Sequence, residues 1–324
     1  MKKKKEDIFP AKLPYFLSLG FITHDFTKEN KEIIGGASAY SAILARNFGL
    51  DSAMVTSIGQ DFPDFDSLKG IWLAYQTEKR TTTFINKPFK KSFIKSASEK
   101  GSFTKERENI NEGRVQYVTC VADRIREETI PEAWFDAEIV YICPVLGELE
   151  EKIIKRFKGS MIGVAPQGWL RSVGEGGRIE KKRWEKANKV LPKADFVIAS
   201  EEDVLKEDIP RYVELSNIFV LTSGRKGAEL YWDKGRHQEH IPAFESEEVD
   251  ATGAGDVFGA AFLLRYYETK DVHKAAIFAS CAASFVVEKE GVERVPCREG
   301  VNERISTLSK ESPKFSPDPQ HTWD

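Results

Sequence analysis

Short, almost wholly apolar runs recur along the chain and end in small or polar residues: FLSLG at 16–20, SAMVTSIG at 52–59, SMIGVA at 160–165, DFVIAS at 195–200 and IFVLTS at 218–223. Between them lie segments with helical spacing, such as LEEKIIKRF at 149–157 and the small-residue stretch ASAYSAILARNFG at 37–49, closed by a glycine. Apolar runs of this length alternating with helical patterns predict parallel strands buried on both faces. In such sheets ligands collect beyond the carboxyl ends of the strands. GAELYWD at 227–233 and RHQEHIPAF at 236–244 predict a hairpin, and helices are expected over 272–287 and near 299–308.

Residues 81–122 break the alternation, with two β-like ends around a Lys/Glu-rich middle that lacks an apolar period. This reads as an excursion from the main body: strands of a small sheet joined by a charged loop. No repeat is visible and no Pro/Gly/Ser linker divides the chain, so one domain at 15–310 is expected between a basic tail at 1–14 and a proline-containing tail at 311–324.

Composition narrows the function classes. With 324 residues, 41% of them hydrophobic, the chain can bury a large core. Net charge is −3, and the basic residues are scattered without interleaved aromatics, which argues against a nucleic-acid partner. The apolar stretch at 15–22 contains Ser18 and Gly20 and is too short for a membrane span or a signal-peptide core, so no membrane association is expected. Cys120, Cys143, Cys281 and Cys297 form no CxxC and no zinc spacing, which suits structural thiols in a reducing cytoplasm.

The chemistry concentrates in VDATGAGDVFGAAF at 249–262. If a helix begins near Gly255, the amides of Gly253, Ala254 and Gly255 are first-turn donors with no partner inside the helix, and the aligned peptide dipoles add positive potential there. Such a cradle suits a phosphoryl group in transfer, and small side chains let it approach the backbone. Asp256 beside it can take the proton of an attacking hydroxyl. The same residues also suit a plain tight turn with an acidic first-turn residue. A dinucleotide fingerprint fails because Phe258 stands where GxGxxG needs its last glycine, and no GxxxxGK[ST] occurs.

DATGAGDVFGAAF resembles the signature DTxGAGDxFxxAF of the ribokinase family (PfkB-type carbohydrate and nucleoside kinases), with Ala251 in place of its first threonine. Gly20…Asp25, Gly35-Gly36, SIGQDFPD, TTTF, TSGRKG and VPCREGV follow in the family's order over nearly the whole chain. The resemblance implies a three-layer α/β/α ribokinase-like fold, with a central, mostly parallel sheet and a small β-sheet lid formed by residues 16–34 and 81–122. It implies Asp256 as catalytic base, the 253–255 amides as anion hole, and Thr222, Gly224 and Gly227 at the ATP phosphates, although TSGRKG also reads as a hairpin turn. Asp25 would accept hydrogen bonds from substrate hydroxyls, or serve as a turn residue, and Gly35-Gly36 would be the lid hinge. Asp250 and the Thr252 carbonyl match a potassium site, though Asp250 alone reads as an N-cap. The family's lids often pair between subunits, which implies a homodimer.

Three departures bear on substrate and metal. Ser200-Glu201-Glu202-Asp203 stands where the family has Asn-x-x-Glu, leaving Asp203 to reach a hydrated Mg²⁺ through a water, with Glu202 as stand-in. Tyr40 occupies the position of a sugar-contacting asparagine, where its ring can also face a base. In VAPQGWLR, which resembles a DPQG-like segment of sugar and inositol kinases, Ala165 replaces the acid, Gln167 is expected at substrate hydroxyls, and Arg171 reads as a surface arginine or a contact to substrate or phosphate. The expectation is an ATP-dependent kinase acting on a small sugar or cyclic polyol; a nucleoside kinase and a catalytically weak sugar-binding regulator are the rivals.

Overall fold

The computed structural model describes residues 12–26, 32–62, 65–86 and 116–311. The tails therefore fall outside the described residues up to position 11 and from position 312, as does the charged middle of the excursion at 87–115. In chain order, β1 (Phe16–Leu19) leads to β2 (Thr23–Phe26), β3 (Glu32–Gly35), α1 (Ala37–Asn47), β4 (Ser52–Gly59), β5 (Trp72–Glu78), β6 (Thr82–Asn86) and β7 (Gln116–Cys120). There follow β8 (Ile139–Ile142), β9 (Met161–Val164), β10 (Arg171–Val173), β11 (Ile179–Lys181), α2 (Ala187–Val190), β12 (Phe196–Ser200), α3 (Ile209–Leu215) and β13 (Ile218–Thr222). The chain closes with β14 (Ala228–Trp232), β15 (His237–Ile241), α4 (Ala254–Thr269), α5 (Val272–Val286) and α6 (Arg298–Glu311).

Nine strands form one sheet in the order β15-β14-β13-β12-β9-β8-β1-β4-β5, with only the β13-β14-β15 ladder antiparallel. Every residue of β1, β4 and β8 is buried, so both faces of these strands are covered, which is why β1 and β4 read as mostly apolar runs. Two of the serines among them bond to α1: Ser18 Oγ donates to the Ser38 carbonyl at 3.0 Å and Ser52 Oγ to that of Ala42 at 2.9 Å. α1 stops where expected, in a Schellman arrangement in which Gly49 N donates to Arg46 O at 2.9 Å and Leu50 N to Ala45 O at 3.1 Å. α4 lies close on the sheet. Phe262 stacks on Phe196 at 4.2 Å between centroids, and a Cβ at Gly259 would strike the Tyr141 hydroxyl.

A second sheet, β3-β2-β6-β7, makes the lid. Residues 16–20 do not belong to it: Phe16–Leu19 pairs in parallel with both β4 and β8, a position its complete burial favours, and the lid's first strand starts at Thr23. The outer margin of the lid meets the β10-β11 hairpin, through a bridge between Tyr117 and Arg178 and through Gly177, which lies so close to the Val118 carbonyl that a Cβ has no room. The segment 149–157, expected as an α-helix, is a 3₁₀ turn over Glu151–Arg156, opened by an i→i−3 bond from Ile153 N to Glu150 O at 3.0 Å. Adjacent Ile153 and Ile154 are both buried there. Among the described residues no helix is long and apolar enough to cross a membrane.

Candidate active site

Strand order reverses between β1 and β8: the chain proceeds from β1 to β4 and β5 on one side, and from β8 through β9, β12 and β13 on the other. Loops leaving these two strands diverge, and the crevice between them is where an open α/β sheet takes its ligand. The start of α4 lies over the β8 side of it. Burial pushes the Tyr141 phenol and the Cys143 thiol well above their usual values, and the Asp256 carboxylate pushes both further.

The turn into α4 is built locally. Val249 N and Asp250 N both donate to the Val287 carbonyl, at 2.7 and 3.2 Å, which anchors the segment to the end of α5. Asp250 Oδ1 then accepts from Thr252 N at 3.1 Å and from Thr252 Oγ at 2.7 Å, folding the chain back on itself. Gly253 caps the helix in the left-handed region, at φ 83°, with no space for a Cβ above the ring of Tyr40. The amides of Gly253 and Gly255 donate to no protein acceptor among the described residues, whereas Ala254 N closes on Ala251 O at 3.3 Å. The open donors are thus the two glycines; Ala254, expected as a third, is engaged. Asp256 is half-buried in the first turn, where the helix end favours its charge.

Tyr40 differs from expectation. It has no accessible surface and packs beneath Gly253, so it supports the cradle and offers no ring to a ligand. The residues just before it hold the other half of the site. Asp25 is 6% exposed on β2, accepts from Thr23 Oγ at 2.8 Å, and lies over Gly35, where a Cβ would stand 2.5 Å from its carboxyl carbon. Gly36 caps α1 against the Phe21 carbonyl. The first turns of α1 therefore carry Asp25 on one side, through Gly35, and the Gly253 turn on the other, through Tyr40.

Ser200 and Thr222 are register partners at the carboxyl ends of β12 and β13. Beyond them residues 224–226 form a tight turn whose Gly224 has open space on its Cβ side. Gly227 is constrained by the protein itself: at φ 93° it passes the Ile241 carbonyl without room for a Cβ, so close approach of a nucleotide is not what demands glycine there. Arg225 reaches Glu248 at 2.6 Å, tying this turn to the segment leading into the cradle.

The metal expectation fares differently. Asp203 is 6% exposed; Arg171 donates to its Oδ1 through Nε and Nη2, both at 2.7 Å, and Gln167 Nε2 donates to Oδ2 at 3.0 Å. Both oxygens are taken, so Asp203 does not present a face to hydrated magnesium, Gln167 is committed to it rather than to a substrate, and Arg171 is an internal cation rather than a surface one. Glu202 is exposed, its amide donating to Ser200 Oγ at 3.1 Å. Among the described residues no group of three or more His, Cys, Asp or Glu side chains could hold a metal ion.

Sequence reasoning passed over Glu148, a carboxylate 2% exposed at the crevice, because it stands in the acidic run GELEE with nothing to mark it from its solvated neighbours. Its only signal is that it follows an apolar strand by a few residues.

The large, mostly parallel sheet and the smaller lid sheet together make a ribokinase-like α/β fold. Residues 179–297 match the family model for pfkB family carbohydrate kinases. A nucleoside kinase from Methanocaldococcus jannaschii is 25% identical over 290 residues, covering 85% of this chain and 86% of that protein. Among solved structures, a pyrophosphate-dependent myo-inositol-1 kinase converted by mutation into a myo-inositol-3 kinase superposes with a TM-score of 0.69 at 22% identity, covering 90% of this chain and 99% of the other. A ribokinase II from E. coli in complex with ATP and Mg²⁺ does so with a TM-score of 0.65 at 17% identity, covering 91% and 100%.

Proposed function

We propose that this chain is an ATP-dependent kinase that phosphorylates a hydroxyl of a small sugar or cyclic polyol. One observation carries the reading: Asp256 and the open amides of Gly253 and Gly255 share one helix end, and the first turns of α1 join that end to Asp25. Asp25 accepts hydrogen bonds from acceptor hydroxyls, which an acceptor-only carboxylate suits. Asp256 orients the attacking hydroxyl and takes its proton late, as the phosphoryl group passes through a loose transition state. The Gly253 and Gly255 amides face the charge developing on that group, and being fixed by the helix they need no reorganisation. The lid, closing from β2, β3, β6 and β7, excludes water that would compete as acceptor.

ATP would lie along the open side of the 224–226 turn, beside Thr222 and Ser200. A protein-held magnesium ion does not fit the described residues, because Asp203 is taken by Arg171 and Gln167, and no step is assigned to it. Mg²⁺ is proposed only as the companion of the nucleotide phosphates, which is how that ion is commonly held. Potassium fits better: Asp250 Oδ2 has no partner among the described residues and lies at the turn carrying the Thr252 carbonyl. The four free cysteines support a reducing, cytoplasmic setting.

Turnover by Asp256→Asn, assayed by ADP release over a panel of sugars, polyols and nucleosides with Mg²⁺ and K⁺, tests the proposal. The expected loss is about 10²–10⁴-fold in kcat with ATP binding retained; near-wild-type turnover removes the mechanism. A nucleoside acceptor is the second reading, favoured by the nucleoside kinase relative. Thermal shifts with sugars but no ADP release from any acceptor would instead support a binding regulator.

A further inference from the structure

Residues 20–22 connect the large sheet to the lid, and each is held by a side chain from a different element. Ser38 Oγ on α1 donates to the carbonyls of Gly20 at 2.9 Å and Phe21 at 3.0 Å. Ile22 N donates to Thr56 Oγ on β4 at 2.7 Å. Phe21 N donates to Glu148 Oε1 at 2.8 Å, across 127 positions of chain and across the crevice where strand order reverses. On its own side Glu148 accepts from Val145 N, at 2.9 Å on Oε1 and 3.1 Å on Oε2, and from Leu146 N at 2.8 Å.

We infer that Glu148 is a positioning residue for the acceptor half of the site, its carboxylate locking the Phe21 backbone and so setting where β2 presents Asp25 relative to the Gly253–Asp256 cradle. The inference rests on the kinase reading for its effect on substrate, though not for the clamp itself. Three features single Glu148 out from ordinary core polar residues. It is 2% exposed, and among the described residues no basic side chain pairs with it, so its bonds are all to backbone N–H groups. Those donors come from both loops leaving the switch-point strands, so the carboxylate fastens the two lips of the crevice together. Three N–H groups facing two oxygens require a group that accepts at both; an amide would turn its own N–H against one of them. Its charge also reaches the floor of the site, since Glu148 and Asp256 both push up the buried Cys143 thiol.

From Phe21 the chain needs only Ile22 before β2 begins, and Asp25 is the third residue of that strand. Release of Phe21 N therefore shifts the carboxylate that receives acceptor hydroxyls, while the donor turn at 224–226 and the Arg171–Asp203 cluster lie on other loops. Glu148→Gln tests this with steady-state kinetics on the best acceptor and with amide hydrogen exchange on the same protein. The expected result is an acceptor KM raised about tenfold or more, as for loss of hydrogen bonds to a charged group, with donor KM changed less than about twofold on the same grounds and faster exchange over residues 21–26. An unchanged acceptor KM in a folded variant, or equal rises in both KM values, overturns the inference. Should the variant not fold, exchange in the wild-type protein decides: Phe21 N is expected among the slowly exchanging amides without ligand, and open-loop rates there overturn the clamp. Wild-type inactivity across the whole acceptor panel would defeat the kinase reading alone, since the exchange result stands apart from activity.

Discussion

Replacing Arg171 by Met removes the guanidinium and keeps most of the stem volume. Asp203 then loses two N–H donors at 2.7 Å and keeps only Gln167 at 3.0 Å. With side chains 10% and 9% exposed, the pair is almost fully withdrawn from solvent, so surface screening reduces its worth little. Removing one partner of such a pair costs about 3–5 kcal/mol, most of it the penalty of a stranded charge. At about 2.1 cal/mol/K of unfolding entropy per residue, a chain of 324 residues gives roughly 0.7 kcal/mol per degree, hence a Tm lowered by about 4–7 °C. Differential scanning calorimetry of Arg171→Met measures it, and Asp203→Asn added to that background should recover much of the loss by neutralising the stranded acid. A Tm within a degree or so of wild type, or no recovery in the double variant, would refute a structural ion pair. The same geometry requires that Asp203→Asn leave the magnesium dependence of turnover unchanged; a shifted Mg²⁺ optimum would return Asp203 to the metal.

Gly35→Ala should fold, since Gly35 is ordinary extended backbone, but its methyl must displace the Asp25 carboxylate; acceptor KM is expected to rise by about tenfold with stability nearly intact, and unaltered acceptor kinetics would remove Asp25 from the substrate. The thiols should divide by burial. Cys297 is exposed and should label quickly with an alkylating reagent at mildly alkaline pH, while Cys143 and Cys281 stay unlabelled until unfolding, as mass spectrometry would read. Burial pushes Cys281 from 9.0 up to about 12, so the folded thiol keeps a proton that the unfolded one gives up. That contribution to stability is whole below pH 9 and is lost as pH rises towards 12; Cys281→Ala should flatten the alkaline fall of Tm, and an identical fall in the variant would contradict it.

The strands at 52–59, 196–200 and 218–222 were legible because two-sided burial leaves them mostly apolar, with no charge to interrupt them, and the cradle was legible because helix initiation with small residues has a local signature. Ile139–Ile142 escaped notice although it obeys the same physics, being only four residues long behind a mixed aromatic and acidic stretch. The hairpin β10-β11 had no signal at all: its sequence is charged and glycine-rich, and its reason for existing lies in contacts with the lid and with the loop at 200–205, to which Lys181 Nζ donates at Glu201 O and Val204 O. Tyr40 and Arg171 show a deeper limit. Residue type and position were noticed in both, yet whether an aromatic ring meets ligand or glycine, and whether a cation meets water or an acid 32 positions away, depends on packing that no local pattern encodes.

The contact of Arg178 and Gly177 with Tyr117 and Val118 also bears on how copies of this chain would assemble. A ladder grows only from a margin whose N–H and C=O groups are still turned outward, and the β7 margin is already occupied from within the same polypeptide. Within the lid, strand addition between neighbours would start at β3, while the large sheet keeps margins of its own at β5 and β15. Two copies joined edge to edge through β3 would close as a pair about a two-fold axis.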